Sequence, residues 1–299
     1  MKDRLFYGTV LLMLGICWGS TQSLGKIAAS TGHGAFALIF WQGVIGVVVL
    51  GGLTLVRGRG LALTAAGLRF AAIIAMVGTV VPTFTFYRSV VHLPAGIMSI
   101  LISTIPLLSF PMALALGMDR FSPKRLLGLI CGLAGVALIV LPRASLPDPA
   151  MAVWVPVALL GPLLYALEGN IVARWGTAGM DPVQTMFLAS LMAALIVLPV
   201  ALVQGQMFSP LPLGRAEAAL VFSSGMHALL YATYVWLNGR VGAVFASQSA
   251  YFVTASGVGW AMLLLGERFS VWVWAALPFL FIGLFLVQPR VRAAAILQA

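Results

Sequence analysis

Glu168, His227 and Arg88 stand inside long apolar stretches of this 299-residue chain. An ionisable group is costly in such a setting, and one kept there is a candidate for function. A carboxylate at Glu168 can carry a proton or hold a ligand's ammonium group. It can also pair with an arginine, or reach a surface near Arg174. An imidazole at His227 can contact a carboxylate or respond to pH, or simply bond a helix carbonyl. Arg88, near the end of its stretch, can bind substrate or, more in keeping with its place, extend its stem to the outer headgroup layer. Aromatic and small polar side chains fill the same stretches: Trp18, Gln22, Thr79, Tyr87, Ser99, Ser103, Tyr231, Tyr234, Ser247 and Tyr251. Flat apolar walls with a few orienting polar groups suit a small amphipathic ligand. The same residue types also bind helices to one another or form an interfacial belt.

Other chemistries find little support. The chain has no GxSxG elbow and no Gly-Lys-Ser/Thr phosphate loop. Its three histidines, His33, His92 and His227, are far apart and have no cysteine or histidine at metal-ligand spacing. No catalytic residue, metal or cofactor is expected. Cys17 and Cys131 fall within apolar runs and read as small hydrophobes rather than a disulfide. The net charge of +10 comes from basic residues scattered through short connections, without the basic stripe that nucleic acid would require.

The elements that must position these side chains follow from composition. With 62% hydrophobic and 8% charged residues, the chain cannot cover its apolar surface in water. Ten runs approach the roughly 20 residues needed to cross a bilayer as helix: 5–29, 34–56, 67–90, 94–117, 123–142, 151–173, 182–203, 216–238, 242–265 and 270–288. Lys2 and Arg4 followed by an apolar run resemble a signal peptide. That run is too long, and Trp18 to Ser23 offers no small-residue cleavage site, so it reads as the first span.

Asp119-Arg120-Phe121-Ser122 returns as Glu267-Arg268-Phe269-Ser270, an offset of 148 residues. Ala95/Ala243, Ser99/Ser247, Ala113/Ala261, Leu116/Leu264 and Gly135/Gly283 keep that offset. The expected organisation is two five-helix repeats, 1–147 and 148–299. With a cytoplasmic N-terminus, twelve Lys and Arg fall on the inner side and five on the outer. This places both termini inside. The inner set includes Arg59, Arg290 and Arg292, and the outer set includes Arg143. Five spans per half is an odd number, so the second repeat runs upside down relative to the first, as in many transporters. Pro82 and Pro106 should bend helices 3 and 4. Their counterparts Leu230 and Thr254 should not bend the second half in the same way. Polar residues mark helices 1, 3, 4, 6, 8 and 9 as cavity-lining and leave 5 and 10 peripheral.

Trp18-Gly19-Ser20-Thr21 with Lys26 in helix 1, the Gly-Glu-Arg-Phe-Ser turn before the last helix and the ten-span plan resemble the drug/metabolite transporter superfamily, in its EamA-type branch. The resemblance covers essentially the whole chain. It implies a basket-like all-α bundle around a central cavity, and export of small metabolites across a bacterial inner membrane. Among its members the chain is most similar to the aromatic amino acid exporters. Many relatives carry Arg early in helix 2, where this chain has Trp41-Gln42, so no role resting on that Arg transfers. The partners expected are a small-molecule substrate and membrane lipid, with the chain acting as a monomer. The alternatives are a multidrug or cation efflux transporter using Glu168, and an intramembrane enzyme or scaffold.

Overall fold

The computed structural model describes residues 2–58, 60, 63–142, 145–241 and 248–287. Ser247 and Ala243, and the charge-count residues Arg59, Arg143, Arg290 and Arg292, lie outside these. The described chain forms ten helical spans: α1 Lys2–Ala29, α2 Ala35–Val56, α3 Ala65–Val90, α4 Ala95–Ala115, α5 Pro123–Val140, α6 Trp154–Trp175, α7 Pro182–Val203, α8 Arg215–Val241, α9 Ser249–Leu265 and α10 Val271–Val287. Helices are the form that satisfies every backbone donor and acceptor inside lipid. The first seven are long and apolar enough to cross by those measures alone. By contrast, α8 carries Ser223, Ser224, His227, Tyr231, Thr233 and Tyr234 over its 27 residues, which lowers its hydropathy.

Helix boundaries follow local chemistry. Asp181 caps α7: its Oδ1 accepts from Val183 N at 2.8 Å and Gln184 N at 3.1 Å, while Gln184 Oε1 accepts from Asp181 N at 3.2 Å. Pro182 fits the first helical position, where no donor is missed. Arg57 at the end of α2 pairs with the same carboxylate at 3.6 Å. Asp181→Ala should therefore lower stability by about 1 kcal/mol, read as a lower unfolding temperature in detergent. An unchanged midpoint would mean that the cap adds nothing to the assembled bundle.

The bends fall where the prolines predict. In α3 a π-turn over Ala75–Val80 runs into Pro82. Such turns accommodate an extra residue and often mark working parts of a helix. In α4 the helix stops at Ile102 and resumes at Ile105, with Pro106 in its new first turn. Ser103 Oγ and Thr104 Oγ1 bond back to the carbonyls of Ile100 and Leu101 at 2.7 and 2.6 Å. They give hydroxyl partners to backbone oxygens beside the break. Neither α8 nor α9, which carry Leu230 and Thr254 at the matching positions, is interrupted.

The packing is a two-fold exchange of the halves. Helices α2 and α7, α4 and α9, and α5 and α10 pair across it. Helix α1 lies against α8 and α9, as α6 lies against α3 and α4. The direction of the exchange can be read from the two echoing turns. Glu267 meets Lys26 near the end of α1 and the backbone of Ala95 at the start of α4. Asp119 follows the other end of α4 and bonds Arg125 in α5. The 21 residues of α4 separate the two sites by about 30 Å. The turns thus lie at opposite ends of the bundle, and the repeats are inverted.

Helices α5 and α10 lean on each other through glycines. A Cβ at Gly283 would lie 2.8 Å from Gly128 O and 2.9 Å from Gly132 N. Their outer faces expose Leu127, Ile130, Leu133, Ile282 and Phe285, as befits a peripheral pair in contact with acyl chains.

Candidate functional site

A cavity of about 40 Å³ lies between α2, α3, α6, α7 and α8. Three pairs of its lining residues stand 148 positions apart: Gln42 and Ser190, Thr79 and His227, Thr83 and Tyr231. Equivalent positions of the two inverted halves therefore face one space, which places the cavity on their pseudo-two-fold axis. Gly43, Gly46, Gly78, Tyr165 and Ser224 complete much of the wall. Its volume suits about three waters, so an amino-acid-sized molecule requires the helices to part. A larger hollow of about 280 Å³ between α4, α5 and α6 is lined almost wholly by leucine, valine and proline. It offers little to orient a polar ligand.

The π-turn of α3 sets the geometry at Glu168. A Cβ at Gly78 would fall on the Glu168 carboxylate. The missing side chain is what lets that carboxylate lie against the middle of α3. It is near enough to interact with Tyr165 and Tyr231. Among the described residues it pairs with no Arg, Lys or His. Arg88 is exposed at the end of α3, in keeping with a stem extended to a headgroup layer.

His227 is fixed by Trp18, whose Nε1 donates to His227 Nδ1 at 3.0 Å. An indole nitrogen can only donate, so Nδ1 is the acceptor and the neutral ring carries its proton on Nε2. Tyr234 meets Trp18 edge-on with centroids 5.7 Å apart. Tyr87 is buried on α3 and its hydroxyl donates to Gln42 Oε1 at 3.3 Å. Trp41 beside it donates to Phe208 O at 3.1 Å. Of this pair, Gln42 joins the cavity wall and Trp41 ties α2 to the segment that follows α7.

The remaining expected residues sit elsewhere. Ser99 is fully buried, bonds Ala95 O at 3.2 Å and fills the space beside Gly257. Ser103 belongs to the break in α4. Tyr251 contacts Phe281 of α10, with centroids 5.8 Å apart. Gln22 has a buried Oε1 with no hydrogen-bond partner among the described residues. Ser247 lies outside the described residues.

The helix roster also differs from expectation. Helices α3, α6 and α8 line the cavity as expected, but α2 and α7 join them in place of α1, α4 and α9. The cause is side-chain size. Gly15 and Gly19 of α1 press on Phe252 and Ser256 of α9, and Gly257 presses on Ser99 of α4, leaving no room between those backbones. Sequence reasoning passed over Gln42 and Ser190 because neither α2 nor α7 is rich in polar residues. The 148-residue offset links the two and could have found them.

Two sequence matches to the family model described as the EamA-like transporter family cover residues 6–141 and 152–288. One crystal structure superimposes with a TM-score of 0.66 over 93% of this chain and 95% of its own, at 18% identity, a likeness of fold alone. Comparison with curated protein sequences gives no match. With the family's pattern present twice, once in each five-helix half, the chain belongs to the EamA-like transporter family.

Proposed function

We propose that the chain exports small amphipathic metabolites from the bacterial cytoplasm, aromatic and other hydrophobic amino acids first, by alternating access through the cavity. It works in the inner membrane as a monomer with both termini cytoplasmic, its halves being 1–147 and 148–299, and it is not an enzyme. The observation that carries the reading is the cavity on the pseudo-two-fold axis, walled by matched positions of both halves. A site so placed keeps similar walls whichever way the bundle tilts. Tyr165 and Tyr231 offer apolar faces to a ring, while Glu168 and the Nε2–H of His227 supply opposite polarity for an ammonium and a carboxylate.

The test is efflux from proteoliposomes holding only this protein, against a panel of labelled amino acids, nucleobases and organic cations. Phenylalanine and tryptophan should move fastest. Movement of nucleobases alone, or of nothing, rejects the reading. A second reading, efflux of organic cations, is favoured by Glu168 having no basic partner among the described residues. Under it Glu168→Gln should abolish cation efflux. Under the first reading the same variant should slow amino acid export about tenfold, the cost of about 1.4 kcal/mol in one polar contact.

A further inference from the structure

At one end of the bundle a single carboxylate ties three elements together. Glu267 follows Gly266, whose φ of 66° turns the chain sharply out of α9. Glu267 Oε1 accepts from Ala95 N at 2.8 Å and Oε2 accepts from Gly96 N at 3.1 Å, so the carboxylate caps α4. Lys26 Nζ, near the end of α1, donates to Glu267 Oε1 at 3.1 Å and to Leu93 O at 2.8 Å. Helices α1 and α9 and the α3–α4 junction are drawn together on this face.

The opposite face carries the same parts unassembled. Moving Lys26 along by the repeat offset of 148 gives Arg174, and moving Glu267 back by it gives Asp119. Arg174 closes α6 as Lys26 closes α1, and Asp119 follows α4 as Glu267 follows α9. Helices α6 and α4 are packed together, as are α1 and α9. Yet Arg174 is exposed and forms no ion pair among the described residues, while Asp119 bonds Arg125 instead. Position 273, the counterpart of Arg125, is Val, so that holding contact exists on one face only.

We propose that Lys26–Glu267 and Arg174–Asp119 are two latches of one cycle, shut in turn. The first is shut in this structure. When the cavity faces the other way, Lys26 releases Glu267 and Arg174 takes Asp119 from Arg125. The reason is symmetry: in an inverted repeat, each half adopts in the second state the arrangement its partner holds in the first, so a contact made at one end is remade at the other. The inference rests on the transporter reading, but its test uses no substrate, so the two can fail separately.

The full chain is prepared with Cys17→Ala and Cys131→Ala and a reporter cysteine, Ser224→Cys, in the cavity wall. A membrane-impermeant maleimide is applied to right-side-out and to inverted vesicles. Lys26→Ala should raise the labelling rate from the Lys26 face about fivefold and lower it from the Asp119 face. Arg174→Ala should do the reverse. General loosening of the bundle would move both variants the same way, and that result, or no change with Arg174→Ala, overturns the proposal. A second measurement uses Asp119→Cys with Arg174→Cys. A short bifunctional maleimide should link them, and the linked molecules should label only from the Lys26 face. Failure to link, in protein that still binds the reagent singly at each site, overturns it as well.

Discussion

Gly78→Val should all but abolish transport, lowering the initial rate in proteoliposomes by about a hundredfold, the scale expected when a binding group is displaced by an ångström or more. A Cβ at this position lands on the Glu168 carboxylate. The collision is with the end of a side chain, so the helix need not break. The carboxylate must swing away from α3, and with it goes the polar group that interacts with Tyr165 and Tyr231. The effect is thus on the site more than on the fold, and the amount of folded protein should stay within about twofold. Gly259→Ala is the control, because a Cβ there meets nothing within 4 Å. The sharper test is compensation. Gly78→Ala should be partly rescued by Glu168→Asp, which draws the carboxylate back by one methylene. If Gly78→Val transports normally, the placement of Glu168 against α3 has no part in function.

Gly283→Leu should act in the opposite way, on the protein and not on its site. Its Cβ would lie within about 3 Å of Gly128 O, Gly132 N and Gly132 Cα, all backbone atoms. Backbone cannot yield as a side-chain tip does, so α10 must be pushed off α5. In lipid, close packing is itself the main attraction between helices, since apolar surface gains nothing by leaving one hydrocarbon for another. A loss of about 3 kcal/mol or more is expected, seen as a large fall in the unfolding midpoint and in membrane yield. Gly128→Leu, at the facing position, should match it, because its Cβ would meet Gly283 O at 2.9 Å. Unaltered stability in both variants would show that the two helices can separate freely.

The fold was legible because lipid removes most alternatives. Runs of about 20 apolar residues had to be helices, and their observed limits differ from the expected spans by only a few residues, apart from α9, expected from 242 and observed from Ser249, with 242–247 outside the described residues. Pro82 and Pro106 announced their bends. The echo of Asp119 to Ser122 at Glu267 to Ser270 announced the inversion, which the ends of α4 then bear out geometrically. The wall of the site was harder to read. Polar content was a poor guide to which helices face the cavity, because much of it has local work: Ser103 and Thr104 serve the break in α4, and Ser99 fills a gap beside Gly257. The α2–α7 crossing contributes through small residues instead. A Cβ at Gly46 would sit 2.9 Å from Ser190 Oγ, so closeness of backbone brings Ser190 to the wall. A single sequence does not distinguish a glycine that admits a neighbour from one that merely turns the chain.

The glycine seam between α5 and α10 also bears on how the protein is made. Helix α5 ends at Val140 and its partner begins at Val271. While residues 141–270 are still leaving the ribosome, Gly128, Gly132 and Gly135 have no α10 to receive. In lipid that notch should stay open to acyl chains until α10 enters the bilayer and displaces them. Synthesis stopped before Val271 would leave that notch open for good, and α10 is in this sense the fastener of the two halves.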